Sequence, residues 1–267
     1  MRIHTGDFVE GARSARGVAI IIDVFRACSL IAHALAAGAA RVVPVADIDT
    51  ARALKAHWPD ALLVGERHAR PLPGFDCGNS PSQVLAQALA GRTLIHTTHA
   101  GTQGLIAATR VADRVFTGAL VNVSATVAAV RALAPEEVTI VAMGHEARER
   151  CAEDDLCRDE LLRRLSADEP MAVTDVALSA VRARVRQQLR MAPAAVKFFD
   201  PLADWAPEAD FELCTEVDGV PFAVALQRLA TAELPAQLPE EVAWSLVPWG
   251  GVPLGTAHDS TTPSWSA

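Results

Sequence analysis

Gly17-Val18-Ala19-Ile20-Ile21-Ile22-Asp23-Val24-Phe25-Arg26 decides how the chain is read. Its apolar residues are those of a strand buried on both faces, the habit of parallel sheets. The run stops at a carboxylate and an arginine. Ser29–Ala37 then reads as a helix that ends at Gly38.

The same alternation recurs outward from this stretch. Arg41–Val45, Ala61–Val64, Thr93–Ile95, Arg114–Phe116 and Val138–Ala142 read as strands. Between them, Asp47–Trp58, a segment opened by Ser80-Pro81 and running to about Ala90, Gly101–Thr109, Asn122–Leu133 and Glu153–Leu165 read as helices. Asp47 and Ser80 suit the N-cap, and Pro81 suits the first helical position. Strands alternating with helices of this length predict a three-layer α/β/α fold on a mostly parallel, or mixed, sheet. Parallel strands would gather their C-terminal ends at one edge, where open α/β sheets bind ligands.

Residues 1–165 are expected to form this α/β core. Residues 166–254 read as an α+β portion that extends or covers the sheet, with Val173–Met191 helical and Phe211–Glu216 and Phe222–Leu226 as strands around an Asp218-Gly219 turn. Gly255–Ala267 reads as a flexible tail.

Composition limits the function. The 267 residues are 51% hydrophobic and 21% charged, which supports a large core. The net charge of −8 carries no basic footprint for nucleic acid. Arg182, Arg184, Arg186 and Arg190 read as one solvated helix flank. The five cysteines show no CxxC pair, so neither a zinc ribbon nor a secreted disulfide framework is expected. No run is long enough to cross a bilayer, and the N-terminus has no signal-peptide apolar core. A cytoplasmic protein is expected, and the apolar composition permits a homodimer. P-loop, dinucleotide-binding and Gly-x-Ser-x-Gly motifs are all absent.

The strand ends carry the chemistry. Asp23 can hold a divalent metal, and Arg26 can fork onto an oxyanion. Gly65-Glu66-Arg67 and Gly74–Pro81 bracket a long loop, and within them Glu66 and Asp76 are hard oxygen donors suited to Mg²⁺. Thr97-Thr98-His99-Ala100-Gly101-Thr102 joins a strand to a helix and reads as an anion cradle. Glu153-Asp154-Asp155 opens the last core helix, and Asp154 is a candidate for the same site. His96, His99 and His145 lack metal-ligand spacing and read as structural.

Taken together, these segments resemble the 2-phosphosulfolactate phosphatase family. The likeness rests on Ile22–Ala27, Gly65-Glu66-Arg67, Gly74-Phe75-Asp76-Cys77-Gly78-Asn79-Ser80-Pro81, Thr97-Thr98 with Gly101-Thr102, Asn122, and Glu153-Asp154 with Cys157. Weaker matches lie at Asp210–Cys214 and Asp218–Pro221. The resemblance implies a Mg²⁺-dependent phosphatase of coenzyme M biosynthesis, acting on 2-phosphosulfolactate or a related 2-hydroxy-acid phosphate. Asp23, Arg26 and Glu66 would carry catalysis. Asp23, Glu66, Asp76 and Asp154 would hold the metal. Arg26, Arg67, Asn79, Thr97, Thr98, Gly101, Thr102 and Asn122 would bind the anionic substrate. Direct water attack and an aspartyl-phosphate on Asp23 both fit.

Two positions depart from the family pattern. Ala100 stands where an asparagine is usual, and Cys28 where a threonine is usual. Both bear on substrate choice, and they also suit a non-catalytic sensor of a phosphorylated or sulfonated acid, or a hydrolase with another phosphate ester.

Overall fold

The computed structural model describes residues 1–167, 175–230, 233–234 and 243–250. In chain order it holds β1 (Arg2–Asp7), α1 (Phe8–Arg13), β2 (Val18–Ile22), α2 (Ala27–Ala36), β3 (Arg41–Pro44), α3 (Ile48–His57), β4 (Leu62–Arg67) and β5 (Arg70–Pro71). Then come α4 (Pro81–Leu85), β6 (Thr93–Thr97), α5 (Gly101–Ala108), β7 (Arg114–Gly118), α6 (Val123–Leu133), β8 (Glu137–Ala142) and α7 (Ala152–Ser166). Last are α8 (Asp175–Arg190), a 3₁₀ segment (Pro193–Phe199), α9 (Glu208–Cys214), β9 (Val224–Arg228) and β10 (Trp244–Pro248).

One ten-stranded sheet runs β1-β8-β2-β7-β9-β10-β3-β6-β4-β5. The first four strands are mutually parallel, and so are β3, β6 and β4. β9 and β10 join the two groups through three antiparallel steps. The strand ends therefore do not share one sheet edge, because the second group runs in the opposite sense to the first. The segments that follow β2 and β6 nevertheless meet, with Asp23 lying against Gly101 at the start of α5.

Alternation along the strands builds three hydrophobic clusters. Ala19 and Ile21 of β2 face a cluster with Leu30, Ile31 and Leu105, from α2 and α5. Val18, Ile20 and Ile22 face the opposite cluster, with Val127, Cys157 and Phe211. In the second parallel group, Val43, Leu63 and Ile95 join Ala51 and Leu54 of α3. Each full burial of a Val, Ile or Leu side chain contributes roughly 1.5–3 kcal/mol. This is the three-layer arrangement that the alternation predicts.

Four local features differ from the sequence reading. Asp47 and Ser80 do cap their helices, accepting from Thr50 N and Gln83 N, but α4 ends at Leu85 rather than near Ala90. Residues 2–7 form a strand that no apolar run signals, because β1 is an edge paired only to β8 and mostly half-exposed. Phe211–Glu216 is not a strand. Asp210, Phe211 and Cys214 are buried with helical spacing in α9. The Arg182, Arg186 and Arg190 flank is not merely solvated, since it pairs with Glu216, Glu212 and Glu208 beside α9. No helix among the described residues is long and apolar enough to cross a membrane. The Gly255–Ala267 segment lies outside the described residues.

Candidate active site

The turn after β2 is held from a distant part of the chain. Asp154, near the start of α7, accepts from Val24 N and Gly144 N, both at 2.8 Å. Its two oxygens thus tie the end of β2 to the end of β8. Asp23 sits beside this strut, with Oδ1 accepting from Ala27 N at 3.2 Å. Its other oxygen lies against the start of α5, where a Cβ at position 101 would fall 2.7 Å from Oδ2. Glycine is required there because the carboxylate and the helix approach so closely.

Asp23, Arg26, Glu66, Asn79, Ala100 and Asp154 line one cleft, together with His145, Glu153 and Lys197. Glu66 at the end of β4 accepts from Ala69 N at 2.8 Å and from His99 N at 2.7 Å. It therefore fixes two loops at the cleft wall. Asn79 is oriented by His96, whose Nε2–H donates to Oδ1 at 3.2 Å. Burial and Arg67 lower the His96 pKa to about 3, so this imidazole is neutral.

Arg26 is almost wholly buried, and its ion-pair partner is not local. Nη1 donates to Asp210 Oδ2 and to Trp205 O, both at 2.7 Å. Asp210 Oδ1 in turn accepts from Ser80 Oγ, Ser82 N and Ser82 Oγ. The plane of the guanidinium is thereby set, and Nη2 makes only a long contact to Ala69 O at 3.4 Å.

The electrostatics favour a cation. Burial, opposed by the Ala27 amide and reinforced by Glu66, raises the Asp23 pKa to about 6. Burial, with the nearby Asp23 charge also raising it, lifts Glu153 to about 7. Burial, then Asp23 and Glu153, pushes Asp154 well up. Glu153 Oε2 is buried with no hydrogen-bond partner among the described residues. An orphaned carboxylate oxygen next to a second carboxylate suits a hard divalent cation. Lys197 stands on the opposite chemistry: burial and Arg26 lower its pKa, while Glu153 and Asp23 favour its charged form.

Other sequence candidates lie elsewhere. Asp76 does not line the cleft; its Oδ2 accepts from Leu63 N and pairs with Lys55. Arg67 lines a neighbouring cleft, and its Nη2 donates to Thr97 Oγ1 at 3.0 Å. Thr98 and Thr102 close on each other, Thr98 N donating to Thr102 Oγ1 and Thr102 N to Thr98 Oγ1. Asn122 is buried after β7 and donates to Phe222 O. The sequence places Glu153 and Asp210 in segments that match the family but gives neither a role in the site, and it does not single out Lys197. Glu153 looked like an ordinary helix-dipole acid. Lys197 is an isolated cation inside the apolar run Val196–Phe199, and that interruption was the available signal.

The family model described as 2-phosphosulpholactate phosphatase matches residues 3–228. A probable 2-phosphosulfolactate phosphatase of Prochlorococcus marinus (strain MIT 9303) is 37% identical over 224 residues, covering 79% of this chain and 89% of the relative. One of Thermus thermophilus is 34% identical over 224 residues, covering 81% and 91%. One of Deinococcus radiodurans is 40% identical over 131 residues, covering 49% and 55%. With a family model that matches most of its length, and relatives above 30% identity of which it covers about nine-tenths, the chain belongs to the 2-phosphosulpholactate phosphatase family of phosphoric monoester hydrolases.

Proposed function

We propose that the cleft hydrolyses the phosphate monoester of a 2-hydroxy acid carrying a further acid group, with 2-phosphosulfolactate the leading substrate and coenzyme M biosynthesis the setting. One observation carries the reading. The cations Arg26 and Lys197 share a single cleft with the buried carboxylates Asp23 and Glu153, one of which has an unpartnered oxygen. Simple anion binding would not need those acids.

Asp23 and Glu153 are the residues that would hold a divalent cation, and Mg²⁺ is the one their hard oxygens suit. When bound, it would neutralise charge on the phosphoryl oxygens. Asp154 and Glu66 keep the cleft in shape, since their oxygens already accept backbone amides. Arg26, held in plane by Asp210, turns Nη2 to a phosphoryl oxygen. Asn79 orients the ester with its amide N–H₂. Lys197, with its lowered pKa, gives a proton from Nζ to the leaving alkoxide oxygen. Asp23 directs the attack, either by orienting water or as the nucleophile itself. Five free cysteines suit a reducing, cytoplasmic setting.

The test is phosphate release from 2-phosphosulfolactate and a panel of other phosphate esters, scored by kcat/KM. Release should be fastest for esters bearing two further acid groups, stop with EDTA and return with Mg²⁺. Tight binding of 2-phosphosulfolactate without release from any ester would replace this reading with the sensor, which the methyl of Ala100 at the cleft wall favours.

A further inference from the structure

We propose that His68, His99 and Glu146 form a second metal site, for zinc or a similar borderline transition ion, at the rim of the cleft. One ligand atom from each of the three lies within 4.8 Å of the other two. The residues come from three separate loops, after β4, before α5 and after β8, so no spacing in the sequence announces them. His99 and Glu146 line the same cleft as Asp23 and Glu153, but none of the three residues belongs to the set given for the phosphatase chemistry.

The geometry is built rather than casual. The two oxygens of Glu66 accept from Ala69 N and His99 N, which fixes the two histidine-bearing segments relative to each other. The rings of His68 and His99 meet edge to face at 4.9 Å between centroids. His68 Nδ1 and Glu146 Oε1 are 2.5 Å apart. His99 Nδ1 is buried and has no hydrogen-bond partner among the described residues. His68 and Glu146 both hold left-handed backbone, with φ of 53° and 50°, a conformation that costs energy for residues other than glycine. Both loops thus turn their side chains to one point at a local cost.

The donor set selects the ion. Two imidazoles and one carboxylate suit zinc, at about 2.0–2.2 Å per ligand, whereas Mg²⁺ prefers oxygen alone. Closing the triad onto such an ion needs movements of about an ångström, which the exposed His68 side chain can make. Three protein ligands leave a fourth position for water or for an anionic group of a ligand in the adjoining cleft. Because β8 belongs to one parallel group and β4 and β6 to the other, a bound ion would clasp the two halves of the sheet across the cleft mouth.

The full chain, stripped of metal, is titrated with Zn²⁺ by calorimetry in excess Mg²⁺, and with Co²⁺ by visible absorption. The parent should take up Zn²⁺, show the intense bands of four-coordinate Co²⁺, and melt at a higher temperature with Zn²⁺. His68→Ala and Glu146→Gln should each weaken Zn²⁺ by at least ~100-fold, since even the loss of a ligand's outer partner costs ~10–100-fold. Asp23→Asn should bind Zn²⁺ as the parent does. The proposal is overturned if the parent takes up no Zn²⁺ in excess Mg²⁺, if folded His68→Ala or Glu146→Gln binds it unchanged, or if Asp23→Asn abolishes it. Phosphate release is not read in this experiment, so its outcome leaves the proposed substrate untouched.

Discussion

The acid wall between β2 and α7 and the threonine turn between β6 and α5 are both polar, both buried and both at strand ends, yet they differ in what their hydrogen bonds leave over. At the turn, Thr98 and Thr102 satisfy each other through reciprocal amide and hydroxyl contacts. At the wall, Asp154 is closed by two backbone amides, but Glu153 Oε2 has no donor among the described residues and Asp23 has a pKa lifted to about 6 by burial. A polar group whose bonds are complete holds the scaffold. One left incomplete in a buried cleft points to something that is to be bound. The turn has the residues of a cradle and the bonding of a helix cap.

The sharpest way to break this comparison is to neutralise the open groups. Asp23→Asn and Glu153→Gln should each lower kcat by about 10²–10⁴-fold. Their metal-free melting temperature at neutral pH should hold or rise, because a desolvated charge is removed. Normal turnover in either variant would dissolve the distinction. Next in size is Asp210→Ala, a change at a fully closed group. It leaves the Arg26 charge buried without its 2.7 Å partner and should cost about 3–5 kcal/mol in urea unfolding. A loss under 1 kcal/mol would mean that the pair is not structural.

A pH series sharpens the same contrast. A carboxyl whose folded pKa lies above its unfolded value favours folding below the unfolded pKa, and that contribution disappears as pH rises through the folded pKa. For Asp23 and Glu153 the window runs from their ordinary values of 3.8 and 4.5 up to about 6 and about 7. The melting temperature of metal-free protein should fall across that window, and the stabilisation by Mg²⁺ should grow across it. Mg²⁺ stabilisation that is flat from pH 5 to pH 8 would rule out these acids as its ligands. Smallest is Thr98→Val, which should cost about 1 kcal/mol as a lost cap and change kcat/KM less than tenfold. A larger kinetic loss would restore the turn as an anion site.

Much of the fold was legible because apolar periodicity and caps are local. The buried run of β2, the Asp47 cap and Ser80-Pro81 can each be read within a few residues. β1 escaped because an edge strand needs no apolar face, and α9 escaped because Phe211–Glu216 is too short for alternation and helical spacing to be told apart. Strand direction was hidden as well. Nothing in residues 224–248 announces that two C-terminal strands enter the middle of the sheet and reverse its second half.

The sequence alone determined which residues end the strands in carboxylates, arginines and hydroxyls, because buried strands demand apolar runs and polar interruptions stand out against them. Tertiary structure alone decided which of those residues meet. It brought Glu153, Lys197 and Asp210 to Asp23 and Arg26, sent Asp76 to Lys55, and closed Thr98 on Thr102. The reason is that burial and pairing are set in space: Asp154 reaches Val24 across 130 residues of chain and Arg26 reaches Asp210 across 184, and even the nearer pairs depend on how the strand ends are turned.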